Sequence, residues 1–150
     1  LAEVHDIKLV EDNIFGDFHS SPTPLLADSN VLSAQIVHAL LTDGTYRRHI
    51  DNLRAKLADA MTMTAKRLKA TGLELWTEPQ GGVFLWAQLP EGTDSGQIAR
   101  YALQKGVVLA PGDVFSPSRS ATRYLRFNVA QSTEPYIFAV LSDAMREASR

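Results

Sequence analysis

Cysteine is missing altogether from the 150 residues, which removes disulfides, thiolate nucleophiles and cysteine-ligated zinc from consideration. Neither sign of charge dominates. Fifteen basic and 17 acidic side chains leave a formal charge of -2, so the basic footprint that nucleic acid or an anionic membrane surface requires is not there. No apolar run approaches the ~20 residues that span a bilayer, and the opening LAEVHD has neither the basic nor the apolar region of a signal peptide. A soluble, cytoplasmic chain that does not engage a membrane is therefore expected. Metal-ligand spacing is also lacking: His5, His19, His38 and His49 form no pattern with one another or with carboxylates, and each reads as structural or surface. Ser20, Ser21 and Ser29 sit in no nucleophile elbow.

What is present is the material of an ordinary globular domain, 45% hydrophobic and 21% charged, with enough apolar surface for a core. IKLVE (Ile7 to Glu11) reads as a short buried strand, and the Gly-, Pro- and Ser-rich residues after it as a loop. From Val31 the period becomes helical, with Leu32, Ile36, Val37, Leu40 and Leu41 on one stripe up to Asp43-Gly44. A longer helix follows through Tyr46, Ile50, Leu53, Leu57, Met61 and Leu68 to a C-cap at Gly72. Leu73 to Thr77 and Val83 to Leu89 read as an antiparallel pair of strands around EPQGG. Asp94 and Gln97 predict the cap of a helix closed by Gly106; Val107 to Ala110 predicts a strand, RYLRFNVA the last one, and Pro135 the first turn of a final helix. From Leu73 onward the order is β-β-α-β-β-α. The fold class predicted is α/β of the α+β kind: helices packed on one face of a small mixed sheet.

One residue in the last strand stands out. In RYLRFNVA, Leu125, Phe127 and Val129 alternate with Tyr124, Arg126 and Asn128, so an extended chain turns three apolar side chains inward and aims an arginine and an asparagine from the other face. The commonest explanation of a strand arginine is a surface ion pair. Gly81-Gly82 and Pro111-Gly112 at neighbouring strand ends point instead to a place where backbone can approach a ligand and a guanidinium fork can grip a carboxylate.

Three separated segments, EPQGGVFLWAQLP, KGVVLAPGDVF and YLRFNVA, occur in an order that resembles the C-terminal small domain of class I/II aminotransferases, the fold-type I enzymes that use pyridoxal 5'-phosphate. LVEDNIFGDF resembles their cofactor segment, and LLTDGTYRRHIDNLRAKLADAM is most similar to the aminotransferase-like domain of MocR-type regulators, in which it follows a GntR-type winged helix. The resemblance implies residues 1–30 as a strand and loop remaining from the large cofactor-binding domain and 31–150 as the small domain with its linking helix. It matches Arg126 to the arginine that binds the substrate α-carboxylate; Asn128, Gly81 and Gly82 stay candidate substrate-side residues on the strand pattern above. Asp12 matches the aspartate that keeps the pyridine nitrogen of the cofactor protonated. Phe15 takes the place of a tyrosine whose hydroxyl bonds the cofactor's phenolic oxygen, and so departs from the usual pattern.

The family's Schiff-base lysine has no match. Lys8, Lys56, Lys66, Lys69 and Lys105 stand in the wrong contexts, and the expectation is a fragment with an internal junction near Ser29, Asn30 and Val31. No catalytic residue is assigned, pyridoxal phosphate is expected in the intact parent rather than on this chain alone, and no transamination is expected of the chain by itself. Two readings of the parent stay open: the effector-sensing domain of a GntR/MocR-type transcriptional regulator, or a free aminotransferase acting on an amino acid. In either, the implied partners are an amino acid or related small carboxylate and a second copy of the parent, with DNA reached only through a separate domain.

Overall fold

A computed structural model describes residues 31–42 and 44–148, with side chains from Gln35 onward. Contacts divide the chain into two compact units, Leu1–Lys56 with Gln80–Gly82 and Leu57–Pro79 with Val83–Arg150. The expected strand at residues 7–11, the loop after it and the domain boundary at residue 30 lie outside the described residues.

In the first unit, α1 (Val31–Thr42) and the start of α2 (Thr45–Ala70) are separated by Gly44, which takes φ of 75°. The expected apolar stripe of α1 is helical but not covered: Ile36, Val37, Leu40 and Leu41 are each about half exposed. Arg48 closes the first turn of α2 by donating from its backbone to Gly44 and from its guanidinium to Thr45 Oγ1.

The second unit holds the core. The later turns of α2 contribute Leu57, Ala60, Thr64 and Leu68, a spacing of three and four that lays one buried stripe along the helix. Thr64 is fully buried, and its hydroxyl donates to the backbone oxygen of Ser132 at 3.5 Å. At the end of the helix Gly72 adopts φ of 87°; its N–H bonds to Lys69 O, and the next N–H, that of Leu73, reaches back to Leu68 O. This is a Schellman termination, which needs a left-handed residue that glycine supplies without steric cost. Leu68 and Leu73 are both buried and hold the two positions between which an apolar contact commonly accompanies such a cap.

Four strands follow: β1 (Glu74–Leu75), β2 (Phe84–Gln88), β3 (Ala110–Pro111) and β4 (Tyr124–Asn128), ordered β1-β2-β4-β3. Every pairing is antiparallel. The sheet expected to be mixed therefore has no directly paired parallel strands. β2 and β3 run the same way, joined through α3 (Ser95–Gln104), but β4 lies between them, as in a split β-α-β unit. Pro111 is tolerated because β3 is an edge strand.

Alternation sorts the side chains. Leu85, Ala87, Leu125 and Phe127 are buried, while Phe84, Trp86, Gln88, Tyr124, Arg126 and Asn128 are half-buried on the other face. The helices cover the first face. α3 brings Ile98 and Ala102, and α4 (Pro135–Ala148) brings Phe138, Val140, Leu141 and Ala144. Asp94 caps α3 as its sequence predicts, Oδ1 accepting from the N–H of Gln97 at 2.8 Å. Gly106 repeats the termination seen at Gly72, with φ of 76° and the N–H of Val107 donating to Ala102 O. From Leu73 onward the predicted element order is present, with α3 and α4 burying the apolar residues named above.

Candidate functional site

The half-buried face of the sheet carries the candidate residue Arg126. Pairing in the β2–β4 ladder sets Trp86 directly opposite Arg126 and Phe84 opposite Asn128, and the β3–β4 ladder sets Ala110 opposite Arg126. Arg126 thus projects from a central strand of the sheet.

Its neighbours are aromatic. The guanidinium carbon lies 3.7 Å from the ring centre of Phe115 and 4.4 Å from that of Phe84, both within the reach at which the negative ring face attracts a cation. The aromatic group continues across the sheet. Trp86 meets Phe115 edge to face at 5.9 Å, stacks on Tyr124 at 5.6 Å, and Trp76 meets Tyr124 edge to face. Among the described residues no carboxylate pairs with Arg126: the ion pairs there involve Arg54, Lys69, Arg123 and Arg146. Asp113, the acid nearest to Phe115 in sequence, instead accepts the backbone N–H of Ala121 at 3.0 Å. A half-buried guanidinium that keeps aromatic company, with no carboxylate partner among the described residues, has N–H donors with which it can bind a carboxylate or a similar acceptor.

Phe115 reaches Arg126 from a short 3-10 turn, Gly112–Phe115. Gly112 is buried, and a β-carbon there would lie 2.3 Å from the carbonyl oxygen of Ala121 and 2.9 Å from Tyr124 Cβ. Close packing of the turn on its own unit, not room for a ligand, is what this glycine supplies.

Asn128 shares the face of Arg126, but its Oδ1 accepts the N–H of Ala130 at 3.1 Å, holding the exit of the strand. Gly81 and Gly82 belong to the first unit, where Gly82 has φ of 96°, a conformation that favours glycine. Asp12 and Phe15 lie outside the described residues. Arg123, in the strand approach, is engaged otherwise: it donates to Leu89 O at 3.2 Å and lies 3.9 Å from Glu91.

Phe84 and Phe115 are the residues that reading the sequence for polar chemistry missed. Phe84 was within reach, since FLWAQ alternates in step with YLRFN. Phe115 comes from a turn outside any ladder, and no periodicity marks it.

Residues 12–142 match the sequence profile of the family Aminotransferase class I and II. The chain belongs to this family. Among aminotransferase relatives, aromatic-amino-acid aminotransferase 1 of Thermococcus litoralis is 31% identical over 112 residues, covering 73% of this chain and 27% of the relative. A relative of another kind, the HTH-type transcriptional regulator YdcR of Escherichia coli, is 32% identical over 107 residues, covering 70% of this chain and 23% of the regulator. The kynurenine aminotransferase of Pyrococcus horikoshii, solved in complex with PMP, superposes with a TM-score of 0.61 at 29% identity over 72% of this chain and 28% of that structure. The chain spans about a quarter of the length of the curated relatives it matches. Among the described residues no helix is long and apolar enough to cross a membrane.

The aminotransferase family implies pyridoxal phosphate, but the described residues do not make a place for it. Lys69 Nζ lies 2.5 Å from Glu78, Lys105 Nζ lies 5.8 Å from the ring centre of Tyr101, and Lys56 and Lys66 are exposed on α2. None of these lysines is in the sheet that carries Arg126. What the described part offers is a guanidinium, that of Arg126, set between two aromatic rings on one face of the sheet.

Proposed function

We propose that the chain supplies the α-carboxylate contact of an aminotransferase-like domain, with Arg126 as the residue that orients an amino acid or related small carboxylate. The single observation that carries this reading is the half-buried Arg126 guanidinium, without a carboxylate partner among the described residues and set 3.7 and 4.4 Å from two aromatic rings. A planar fork accepts a carboxylate through two parallel hydrogen bonds and so fixes both its position and its plane. Asn128 adds amide N–H donors on the same face, since the hydrogen bond it makes among the described residues, at the strand exit, uses its oxygen. In the longer protein, Asp12 and Phe15 belong to the cofactor side, pyridoxal phosphate is the cofactor, and the site is completed in a homodimer. Residues 31–150 serve as the small domain with its linking helix, and 1–30 as part of the large one.

For the biological role, we favour effector sensing in a GntR/MocR-type regulator, where occupation of this site is passed to a DNA-binding domain. YdcR matches 70% of this chain, and DGTYRRHIDNLR and VEDNIFGDF support the same subgroup. The second reading, a free aminotransferase acting on an amino acid, is favoured by the match to the Thermococcus litoralis enzyme. The upstream coding sequence separates them: a winged helix is the expected finding, and an unbroken large domain would overturn the regulator reading.

The carboxylate contact is tested directly on the full chain labelled with nitrogen-15. Titration with L-amino acids should shift the Nε–Hε resonance of Arg126, while the matching amino-acid amides, which lack the acid group, should leave it in place. Equal responses to acids and amides, or none to either, overturn the assignment.

A further inference from the structure

An arginine side chain ends in a planar group on a flexible stem, and binding with that group costs the freedom it loses on being fixed. Pre-fixing the plane removes that cost from the binding step. Around Arg126 the described residues give no hydrogen bond or ion pair that would do so. They give two phenyl rings, from Phe115 and Phe84, and two rings that close to one carbon leave the fork few orientations.

Phe115 is itself held from behind. Its turn is seated by Gly112, whose missing β-carbon lets the turn pack against Ala121 and Tyr124. Asp113 ties the turn down at both ends: its carboxylate accepts the N–H of Ala121 at 3.0 Å and its carbonyl the N–H of Ser116 at 3.3 Å. Trp86, directly opposite Arg126 in the ladder, meets the Phe115 ring edge to face. Yet Phe115 is 40% exposed, and apolar core packing does not account for a phenyl group in that place.

Resting on the carboxylate reading above, we infer that Phe115, with Phe84 as its counterpart, is a positioning residue: it sets the plane and direction of the Arg126 guanidinium before any ligand arrives. The Gly112–Phe115 turn is then part of the ligand site without touching the ligand. A planar, two-oxygen acid group is the ligand class such a fixed fork favours, because both oxygens meet N–H groups already lying in one plane.

The test uses the full chain and two readouts. Exchange of the two Nη groups of Arg126, by rotation about the Cζ–Nε bond, is followed by NMR in the absence of ligand. Affinity for an L-amino acid is followed by titration. In Phe115→Leu the rotation should speed up and the affinity fall about fivefold, while Phe115→Tyr, which keeps the ring, should retain slow rotation and wild-type affinity. Phe84→Leu repeats the test from the other ring, so that failure of one variant to fold does not end it. If rotation and affinity are unchanged in both leucine variants, or the tyrosine variant behaves like the leucine one, the positioning role is overturned while the carboxylate reading stands. If the wild-type chain shows slow rotation but no response to the amino acid, the carboxylate reading is overturned. The two failures are distinguished by the rotation rate, which needs no ligand.

Discussion

Gly112 and Ala121 approach so closely that no side chain fits between them: a β-carbon on Gly112 would stand 2.3 Å from the carbonyl oxygen of Ala121. The obstacle is backbone on one side and Tyr124 Cβ on another, neither of which can swing aside as a long side chain would. Gly112→Ala should therefore destabilise the chain by about 1–3 kcal/mol, the usual range for forcing extra volume into a packed place. Thermal unfolding followed by circular dichroism measures it. An unchanged melting temperature would mean that the turn relaxes freely and that the seat of Phe115 is loose.

The two helix terminations are alike in geometry, and both glycines sit at positive φ with nothing within 4 Å of the place a β-carbon would occupy. Space is thus not the constraint; backbone conformation is. Gly72→Ala and Gly106→Ala should each cost about 1–2 kcal/mol, the penalty for a left-handed residue with a β-carbon, and Gly72→Asn should cost less, since asparagine tolerates that region. Denaturant unfolding of the variants checks the order. Equal stability for alanine and asparagine would show that the cap conformation had changed instead.

The same caps explain what the sequence showed well and where it ran long. Leu73 and Val107 look like the first residues of strands because they are apolar and followed by apolar residues. Their N–H groups, however, return to Leu68 and Ala102 in the preceding helices, so the ladders begin only at Glu74 and Ala110. A pattern of hydrophobicity reports that a residue is buried; it does not report where its backbone hydrogen bond goes. Alternation served better for the central pair, since β2 and β4 fall inside the predicted stretches and Arg126 emerges on the half-buried face. The contact with Phe115 had no local signal, because it joins a turn to a strand through side chains alone.

Charge on the surface gives a prediction whose sign follows from one pair. Lys69 donates to Glu78 Oε1 at 2.5 Å, and this hydrogen bond together with the attraction of the ammonium holds the Glu78 carboxyl below its ordinary value. A carboxyl lowered in the folded state contributes stability above its unfolded value and loses it as pH falls through the lowered one. Glu78→Gln should accordingly melt slightly below the wild type at neutral pH, with the difference closing as the solution becomes acidic. Both side chains are solvent-exposed, so added salt should shrink it as well. A difference that grows on acidification would reverse the sign and reject the pairing.

Arg126 separates ligand binding from stability. Its side chain is half-buried on one face of the sheet, while the core on the other is made by Leu85, Leu125 and Phe127. Arg126→Ala should leave that core intact, lowering the melting temperature by no more than the loss of its contacts with Phe84 and Phe115 would give. Carboxylate affinity should respond differently. A charge-assisted contact of this kind contributes roughly 1.5–3 kcal/mol, so calorimetric titration with an L-amino acid should show weakening on the order of 10- to 150-fold. Arg126→Lys, which keeps the charge but not the two-pronged plane, should fall between the two. Were lysine to bind as tightly as arginine, charge alone would explain the contact and the planar fork would have no special role; were alanine to bind as tightly, the acid group would have to be held elsewhere.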